Sequence, residues 1–509
     1  MPHESVGKKM IADSVPPAMG MPLQFGERQF VLVALDVGML CAAAITTMVV
    51  WSVRLGVPLG NQLNFFNMKW MTLMGVLWLL LAAANNLYAP RVAGNPWMLV
   101  RRLLTVGILV LASYLLVYFV SKPGSAPRYT ALVFALAASL FVILGRGAYL
   151  VLLGGGRFRR RAVVVGADKR SVALIRILQA DLSSTYSLLG FVNDDASRVG
   201  SEAVGLPVLG TPQDLPRLVG ELGITDLVLG VGGQEEQSVR PLLECYERGV
   251  AILPGERLYE ETTGRIALEV MGDQWERVLP LRHPGHSGLY ALVKRGLDIA
   301  MALVGLAVFS VIFPVAALAI LLDSRGPIFY RQARVGFGGR IFQLVKLRTM
   351  VADAEPRGVP VWAAARDPRI TRVGRVLRAL MLDEFPQFYN VLKGDMSVVG
   401  PRPERPELVA ELEKHIPLYR SRHSVRPGMA GWALVNAGYG RSVSDALVKL
   451  QYDLYYIKHQ SIYLDLLIIL KTIGRALSFR RAEATGSSVS HEMGCPSPDR
   501  DSGEDRIPR

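Results

Sequence analysis

The 509-residue chain reads as a membrane protein in three parts. A four-helix transmembrane bundle comes first, then a central Rossmann-like α/β domain, then a C-terminal α-rich domain entered through a re-entrant membrane helix. Three observations predict this. Four apolar runs before residue 153 are each long enough for a bilayer, which takes about 20 residues. After residue 160 short β-branched runs alternate with helical patterns, as in a parallel α/β sheet. A fifth apolar run is then interrupted by Pro314.

Composition agrees. Hydrophobic residues make up 51% and charged residues 20%, more apolar than an ordinary soluble enzyme. The net charge of +14 has two readings, a positive-inside bias or a surface that handles phosphate-bearing substrates or anionic lipid. Cys41, Cys245 and Cys495 lie far apart, which excludes a disulfide framework and a zinc site. The seven histidines form no H-E-x-x-H pattern, so zinc hydrolysis is unsupported.

A tail over 1–28 carries Lys8, Lys9 and Arg28, and no short apolar run with a cleavage site precedes the first long one. That run is therefore expected to be retained as a membrane helix. The spans fall at 29–51, 70–88, 103–120 and 130–152, within 29–152. Basic residues gather in the tail, in the second loop at Arg91, Arg101 and Arg102, and in "GGGRFRRR", ending at Arg161. Their distribution puts the tail and everything after residue 153 in the cytoplasm. Asp36 and Arg146 lie inside the spans, as functional groups or as bundle structure.

Residues 160–280 form the α/β domain: "AVVVGA" reads as a strand, "SVALIRILQ" as a helix and "LLGFVNDD" as a second strand. A dinucleotide fingerprint is missing, because Gly166 is followed by Ala-Asp-Lys-Arg-Ser and not by G-x-G-x-x-G. Asp194 stands where a ribose-binding acid would, but without the glycines it supports a degenerate or regulatory domain better. The run 291–322 opens at Lys294-Arg295. A proline inside a helix removes a hydrogen bond and kinks it. Beyond Pro314 too few apolar residues remain to cross ~30 Å of hydrocarbon. A segment that enters and returns to the same face, leaving the basic region 323–480 in the cytoplasm, satisfies both facts. Residues 482–509, rich in Ser, Gly, Pro and acids, are expected to be disordered.

The chemistry gathers in 323–480. Arg334, Lys346, Arg348, Arg378 and Arg402 alternate with Gly and Pro turns, and guanidinium forks suit phosphate. The stretch "LDEFPQFYNVLKGDMSVVGPRPERP" puts Asp383 beside Glu384, ahead of a Pro-Arg-Pro knot. Pro386 suits a first helical turn, which would set the dyad at the positive end of a helix dipole. Two carboxylates there allow one to hold Mg²⁺ and the other to attack phosphorus. Helix capping by Asp383 is the competing account.

From about 291 to 478 the sequence resembles the bacterial sugar transferase family, the monotopic phosphoglycosyl transferases. The resemblance rests on "KRGLDIA", "GPIFYRQARVG", "FQLVKLRTM", "LDEFPQFYNVLKGDMSVVGPRPE", "RPGMAGWALVN" and "YDLYYIKHQSIYLDLLIILKT", in that order. With the front half, the chain is similar to the large subclass, the polyprenyl-phosphate hexose-1-phosphate transferases of exopolysaccharide or O-antigen synthesis. The resemblance implies transfer of hexose-1-phosphate, glucose or galactose, from a UDP-sugar to undecaprenyl phosphate, with release of UMP. It implies Asp383 as nucleophile, Glu384 as the Mg²⁺-linked acid, Arg402 as a phosphate ligand, Lys294 and Arg295 as the basic pair opening the re-entrant helix, and Pro314 as its breaker. The expected catalytic domain is 323–480, on the cytoplasmic face of a bacterial inner membrane. UDP-sugar, undecaprenyl phosphate and membrane lipid are the implied partners, with a homodimer left open and no nucleic acid expected. Phe313, Ala430 and Leu434 depart from the family's usual serine, threonine and glutamine; Ser310 is a candidate to supply the missing hydrogen bond near Pro314. Two rivals stand beside this: an NAD(P)-dependent oxidoreductase or epimerase, and a membrane-anchored ligand-sensing regulator with an inactive transferase module.

Overall fold

The computed structural model describes residues 25–56, 65–85, 87–88, 96–120, 128–153, 159–182, 186–230, 239–268, 288–351, 367–416, 418–437 and 442–477. The tail expected at 482–509, most of that at 1–28, Arg91 and Cys495 lie outside the described residues. The chain divides into two compact units, residues 1–283 with 458–474 and residues 284–457 with 475–509. The stretch 458–474, expected within the C-terminal domain, thus sorts with the first unit.

Four apolar helices open the first unit: α1 (Phe25–Leu55), α2 (Phe65–Ala84), α3 (Pro96–Val120) and α4 (Arg128–Leu153). Phe30–Arg54, Trp97–Tyr114 and Thr130–Tyr149 are long and apolar enough to cross a membrane, whereas the described apolar stretch of α2, Met71–Ala83, is shorter. Inner faces bury Ala43, Trp78, Leu103, Val106, Phe134 and Ala138. Outer faces leave Phe30, Ile45, Val53, Ile108, Leu136 and Leu144 exposed. Helices with apolar groups on the outside as well as the inside suit hydrocarbon, where all backbone bonds are made internally. The chain is a membrane protein. Asp36 and Arg146 turn out to be each other's partner, 2.8 Å apart and fully buried, tying α1 to α4. Arg146 also lies 5.2 Å from the ring centre of Tyr88.

The same unit continues into the α/β layer: β1 (Arg160–Val165), α5 (Lys169–Leu182), β2 (Tyr186–Val192), β3 (Glu202–Ala203), β4 (Leu206–Gly210), α6 (Leu215–Leu222), β5 (Asp226–Leu229), α7 (Val239–Glu247), β6 (Ala251–Pro254) and α8 (Gly255–Thr263). The sheet order is β3-β4-β2-β1-β5-β6, parallel except for β3. Strand β1 is buried throughout, and its alternate residues face opposite ways. Ala162 and Val164 meet Leu174 and Leu178 of α5, while Val163 and Val165 meet Leu218 of α6 and Leu242 of α7. Coverage on both faces explains why the strand reads as an unbroken apolar run.

The second unit begins with α9 (Gly288–Asp323), a 36-residue helix that continues through Pro314. The expected interruption therefore does not end the helix. Ser310 donates to the Ala307 carbonyl at 2.8 Å, three residues back along the helix. Phe313 instead stacks on Phe329, ring centres 5.4 Å apart. After α9 come the antiparallel pair β7 (Phe329–Val335) and β8 (Ile341–Leu347), α10 (Arg372–Ala379), α11 (Gln387–Lys393), β9 (Ser397–Val399), α12 (Pro406–His415), β10 (Gly428–Ala430), α13 (Trp432–Ala437) and α14 (Val443–Lys458). Helix α15 (Ile462–Leu477) follows and belongs to the first unit through Gly474. Strands β9 and β10 pair in parallel. Gly400 donates to Ala430 O and Gly428 to Pro401 O, both at 2.9 Å. A Cβ on Gly428 would stand 2.0 Å from the Gly400 nitrogen, so only glycine permits this approach.

Removing one member of the Asp36–Arg146 pair strands the other in the bundle. Arg146→Leu is expected to cost about 3 kcal/mol, and Asp36→Leu/Arg146→Leu less than that, by thermal unfolding in detergent. Gly428→Ala is expected to cost about 3 kcal/mol through overpacking. Gly296→Ala, in helix and with nothing within 4 Å, should raise the melting temperature slightly.

Candidate active site

Asp383 and Glu384 sit on one 3₁₀ turn, Leu382–Glu384, between α10 and α11. Met381 opens it with φ of 55°, a left-handed conformation that reverses the chain. Pro386 caps α11, so the dyad falls just before that helix and not in its first turn.

The two carboxylates are treated differently. Glu384 Oε1 accepts from Arg402 at 2.7 Å and from Lys346 at 3.2 Å, while its Oε2 has only a 3.5 Å contact with Arg402. Burial opposes ionisation of Glu384, but Arg402 and Lys346 outweigh it and hold the group well below the usual carboxylate range. Asp383 is buried, and among the described residues none donates a hydrogen bond to its carboxylate. Burial, then the neighbouring Glu384 charge, raise its pKa, against the pull of Lys346, Arg378 and Arg402. The turn thus carries a clamped anion beside an uncommitted carboxylate. Among the described residues no group of three His, Cys, Asp or Glu converges on a metal position.

Lys346 comes from β8, and Arg402 from the loop after β9. Arg378 donates to Thr349 Oγ1 at 2.8 Å, with its charge felt at Asp383. Arg334 donates to the Pro403 carbonyl at 3.0 Å and to Gln332 at 2.6 Å, which steadies the Pro-Arg-Pro segment. Arg348 goes elsewhere. Its guanidinium donates to the carbonyls of Ser324 and Arg325, at 2.6 and 3.0 Å, and caps the end of α9. Orphaned helix carbonyls attract such donors, and the geometry keeps this arginine off the dyad. Arg295 does the same for α11, donating to Val391 and Leu392 carbonyls at 2.7 and 2.9 Å. Lys294 lies 6.0 Å from the Tyr456 ring centre. Pro314 sits within α9, beside the Phe313–Phe329 stack.

Sequence reasoning missed three supports. Asp298, buried in α9, accepts from Ser397 Oγ and Val398 N, each at 2.9 Å. A carboxylate one turn after Arg295, inside an apolar run, was the available signal. Asn390 of α11 accepts from Val345 N at 3.1 Å and donates to Gln343 O at 2.8 Å, which fastens the strand bearing Lys346. The Gly400–Gly428 approach fixes the loop bearing Arg402, and glycines flanking "PRP" and "PGMAGW" signalled it.

In the first unit a cleft of about 520 Å³ opens beyond the carboxyl ends of β1 and β2, lined by Asp168, Lys169, Asn193, Asp194, Asp195 and Arg198. The α5 N-terminus is already occupied: Arg170 N and Ser171 N donate to the Asp168 carboxylate at 3.1 and 3.4 Å, and Ala167 N to Asn193 at 3.3 Å.

Residues 289–479 match the family model described as bacterial sugar transferase, and residues 83–251 that described as CoA-binding domain. The cleft sets three carboxylates, Asp168, Asp194 and Asp195, beside Lys169 and Arg198, and the Asp168 carboxylate takes the Arg170 and Ser171 amides. The chain is 41% identical over 240 residues to the UDP-N-acetylgalactosamine-undecaprenyl-phosphate N-acetylgalactosaminephosphotransferase of Aeromonas hydrophila, covering 47% of this chain and 55% of that protein. It is 41% identical over 196 residues to the undecaprenyl-phosphate glucose phosphotransferase of Komagataeibacter xylinus, covering 38% and 37%. These matches span about half or less of the length of those two relatives. With the UDP-glucose:undecaprenyl-phosphate glucose-1-phosphate transferase of Xanthomonas campestris pv. campestris it shares 31% identity over 331 residues, 64% of this chain and 68% of the relative. A match of that extent, beside a family model whose span 289–479 takes in Lys346, Asp383, Glu384 and Arg402, places the chain in the bacterial sugar transferase family, a family of transferases.

Proposed function

We propose that this chain transfers a hexose-1-phosphate, glucose or galactose, from a UDP-sugar to undecaprenyl phosphate, releasing UMP, as the first membrane step of exopolysaccharide or O-antigen assembly. The observation that carries the reading is the unequal pair: Glu384 gripped by Lys346 and Arg402, beside an Asp383 whose carboxylate no described side chain engages. An oxygen of Asp383 attacks the phosphorus bearing the sugar. The bond from that phosphorus to the bridging oxygen breaks, and its electron pair leaves on UMP. An oxygen of the lipid phosphate then attacks the aspartyl-bound phosphorus and displaces the Asp383 carboxylate, which regenerates the site. Arg402, Lys346 and Arg378 offset the negative charge of the diphosphate, which would otherwise repel the attacking carboxylate.

Glu384, through its lightly contacted Oε2, would hold Mg²⁺, and the ion would supply further charge neutralisation there. The glucose assignment follows the Komagataeibacter and Xanthomonas relatives' names.

The same reading has α9 enter the bilayer and return to the cytoplasmic face of a bacterial inner membrane. Its exposed apolar residues lie on both sides of Pro314, from Val304, Val308 and Val311 to Val315, Leu318 and Leu322. Both its ends are held by the second unit. Arg295 and Asp298 bind α11 and β9 at one end, and Arg348 and Val373 N bind Ser324, Arg325 and Asp323 at the other.

Asp383→Asn is expected to lower UMP release by at least about 10³-fold, assayed with membranes, Mg²⁺, undecaprenyl phosphate and a panel of UDP-sugars. Full activity in that variant would remove Asp383 as nucleophile. Because Asp383 attacks only when ionised and its pKa is raised, kcat/KM should climb with pH through a midpoint above the ~3.9 of a free aspartate. Loss therefore sets in on acidification from above that value. For the membrane segment, cysteines placed at Gly296 and Arg325 should both label with an impermeant maleimide from one face; labelling from opposite faces makes α9 a span.

A further inference from the structure

The segment 397–402, which ends in the arginine that clamps Glu384, is fastened at every residue. Ser397 and Val398 are held by Asp298, and the Val399 carbonyl accepts from Tyr456 at 3.3 Å. Gly400 donates to Ala430 O, and Pro401 O accepts from Gly428 N. The last fastening is of another kind. The Arg402 carbonyl accepts at 3.0 Å from Nη2 of Arg422, whose second hydrogen goes to Asp453 Oδ2 at 2.8 Å. Nη1 of Arg422 meets the Tyr419 hydroxyl at 2.5 Å, and the guanidinium lies 5.1 Å from that ring's centre. Arg422 is 5% and Asp453 1% exposed, so both charges have left water.

A buried ion pair is an inefficient way to stabilise a fold, since well-packed apolar residues often do as well or better. What apolar residues cannot do is present an N–H to a carbonyl at a set angle. A guanidinium can serve Asp453, Tyr419 and the Arg402 carbonyl at once, because its five donors lie in one rigid plane. Asp453 fixes the orientation of that plane. Helix α14 supplies both Asp453 and Tyr456, three residues apart on one face, so a single element grips the segment at Val399 and again at Arg402.

We infer that Arg422 and Asp453 are a positioning pair, which sets the backbone of Arg402 and thereby aims its guanidinium at Glu384 and the donor phosphates. The inference rests on the transferase reading for its kinetic consequence but not for its structural one. Neither residue touches the reacting atoms; both act through Arg402.

A double-mutant cycle on the full chain in membranes tests it. Arg422→Lys keeps the charge beside Asp453 but loses the rigid fork, and Asp453→Asn keeps the shape but loses the charge. In the wild-type background each is expected to lower kcat for UMP release by roughly 10- to 100-fold. In an Arg402→Ala background each should change it less than about 2-fold, because the residue they act through is gone. A merely structural pair would lower both backgrounds alike, and that additive result overturns the proposal. Hydrogen exchange of peptides covering 397–404 supplies a readout independent of activity. Exchange should quicken in both variants with other peptides unchanged, and unaltered exchange in both also overturns the proposal. If the wild-type chain releases no UMP from any UDP-sugar, the transferase reading falls, and the exchange data still decide the pair.

Discussion

Two adjacent, buried carboxylates are the constraint around which the second unit is organised. Unit charges about 5 Å apart repel by on the order of 3 kcal/mol at an effective dielectric near 20. Burial adds a cost to each ion separately. Both groups can stay in place only if cations are supplied, and here they go mainly to one partner. Lys346 and Arg402 converge on Glu384 Oε1, and their charges reach Asp383 only through space. The pKa values consequently move in opposite directions, Glu384 downward and Asp383 upward. Such divergence is how one site obtains two roles from similar groups. The fixed anion orders the cationic wall, and no described side chain donates a hydrogen bond to its neighbour.

An arrangement of this kind requires placement finer than side-chain packing alone provides, because its charged members come from separate elements. Lys346 rides on a strand, the dyad on a 3₁₀ turn and Arg402 on a loop. Polar contacts to backbone link them. Asn390 joins α11 to β8, Asp298 joins α9 to β9, Arg334 reaches Pro403, and the Gly400–Gly428 approach joins β9 to β10. Directional bonds of this sort cannot slide as an apolar contact can, which suits a site whose output depends on fractions of an ångström.

Much of this was legible in the sequence where composition and local geometry agree. The apolar runs, the alternating β-branched strands and the glycine-proline turns all read correctly, since each depends on neighbours in the chain. Asp383, Glu384, Lys346 and Arg402 stood out because charge and backbone punctuation coincide there, and the structure brings these four together. Arg348 read as a phosphate ligand on its charge, and the resemblance implied Arg295 as half of the basic pair opening α9, yet the bonds a long side chain makes are set by which carbonyls the fold brings near it. Arg422 and Asp453 lie inside ordinary amphipathic patterns, "PLYRSRH" and "YDLYY", where burial of the charge is a purely tertiary fact.

Two demands fall on helix α9. Arg295 and Asp298 sit three residues apart, so they share a face of α9 and fasten α11 and β9, the two elements that lie between the dyad's turn and the arginine loop. Some 25 residues on, roughly 37 Å along a straight helix, the other end is held by Arg348, the residue that follows β8, the strand that carries Lys346. A helix clasped at both ends by one polar module cannot deliver those ends to opposite sides of a bilayer without taking the module with it. Exposed valines and leucines between the clasps must nevertheless leave water. Both demands are met if the apolar face of α9 lies in lipid while its clasped face stays against the module.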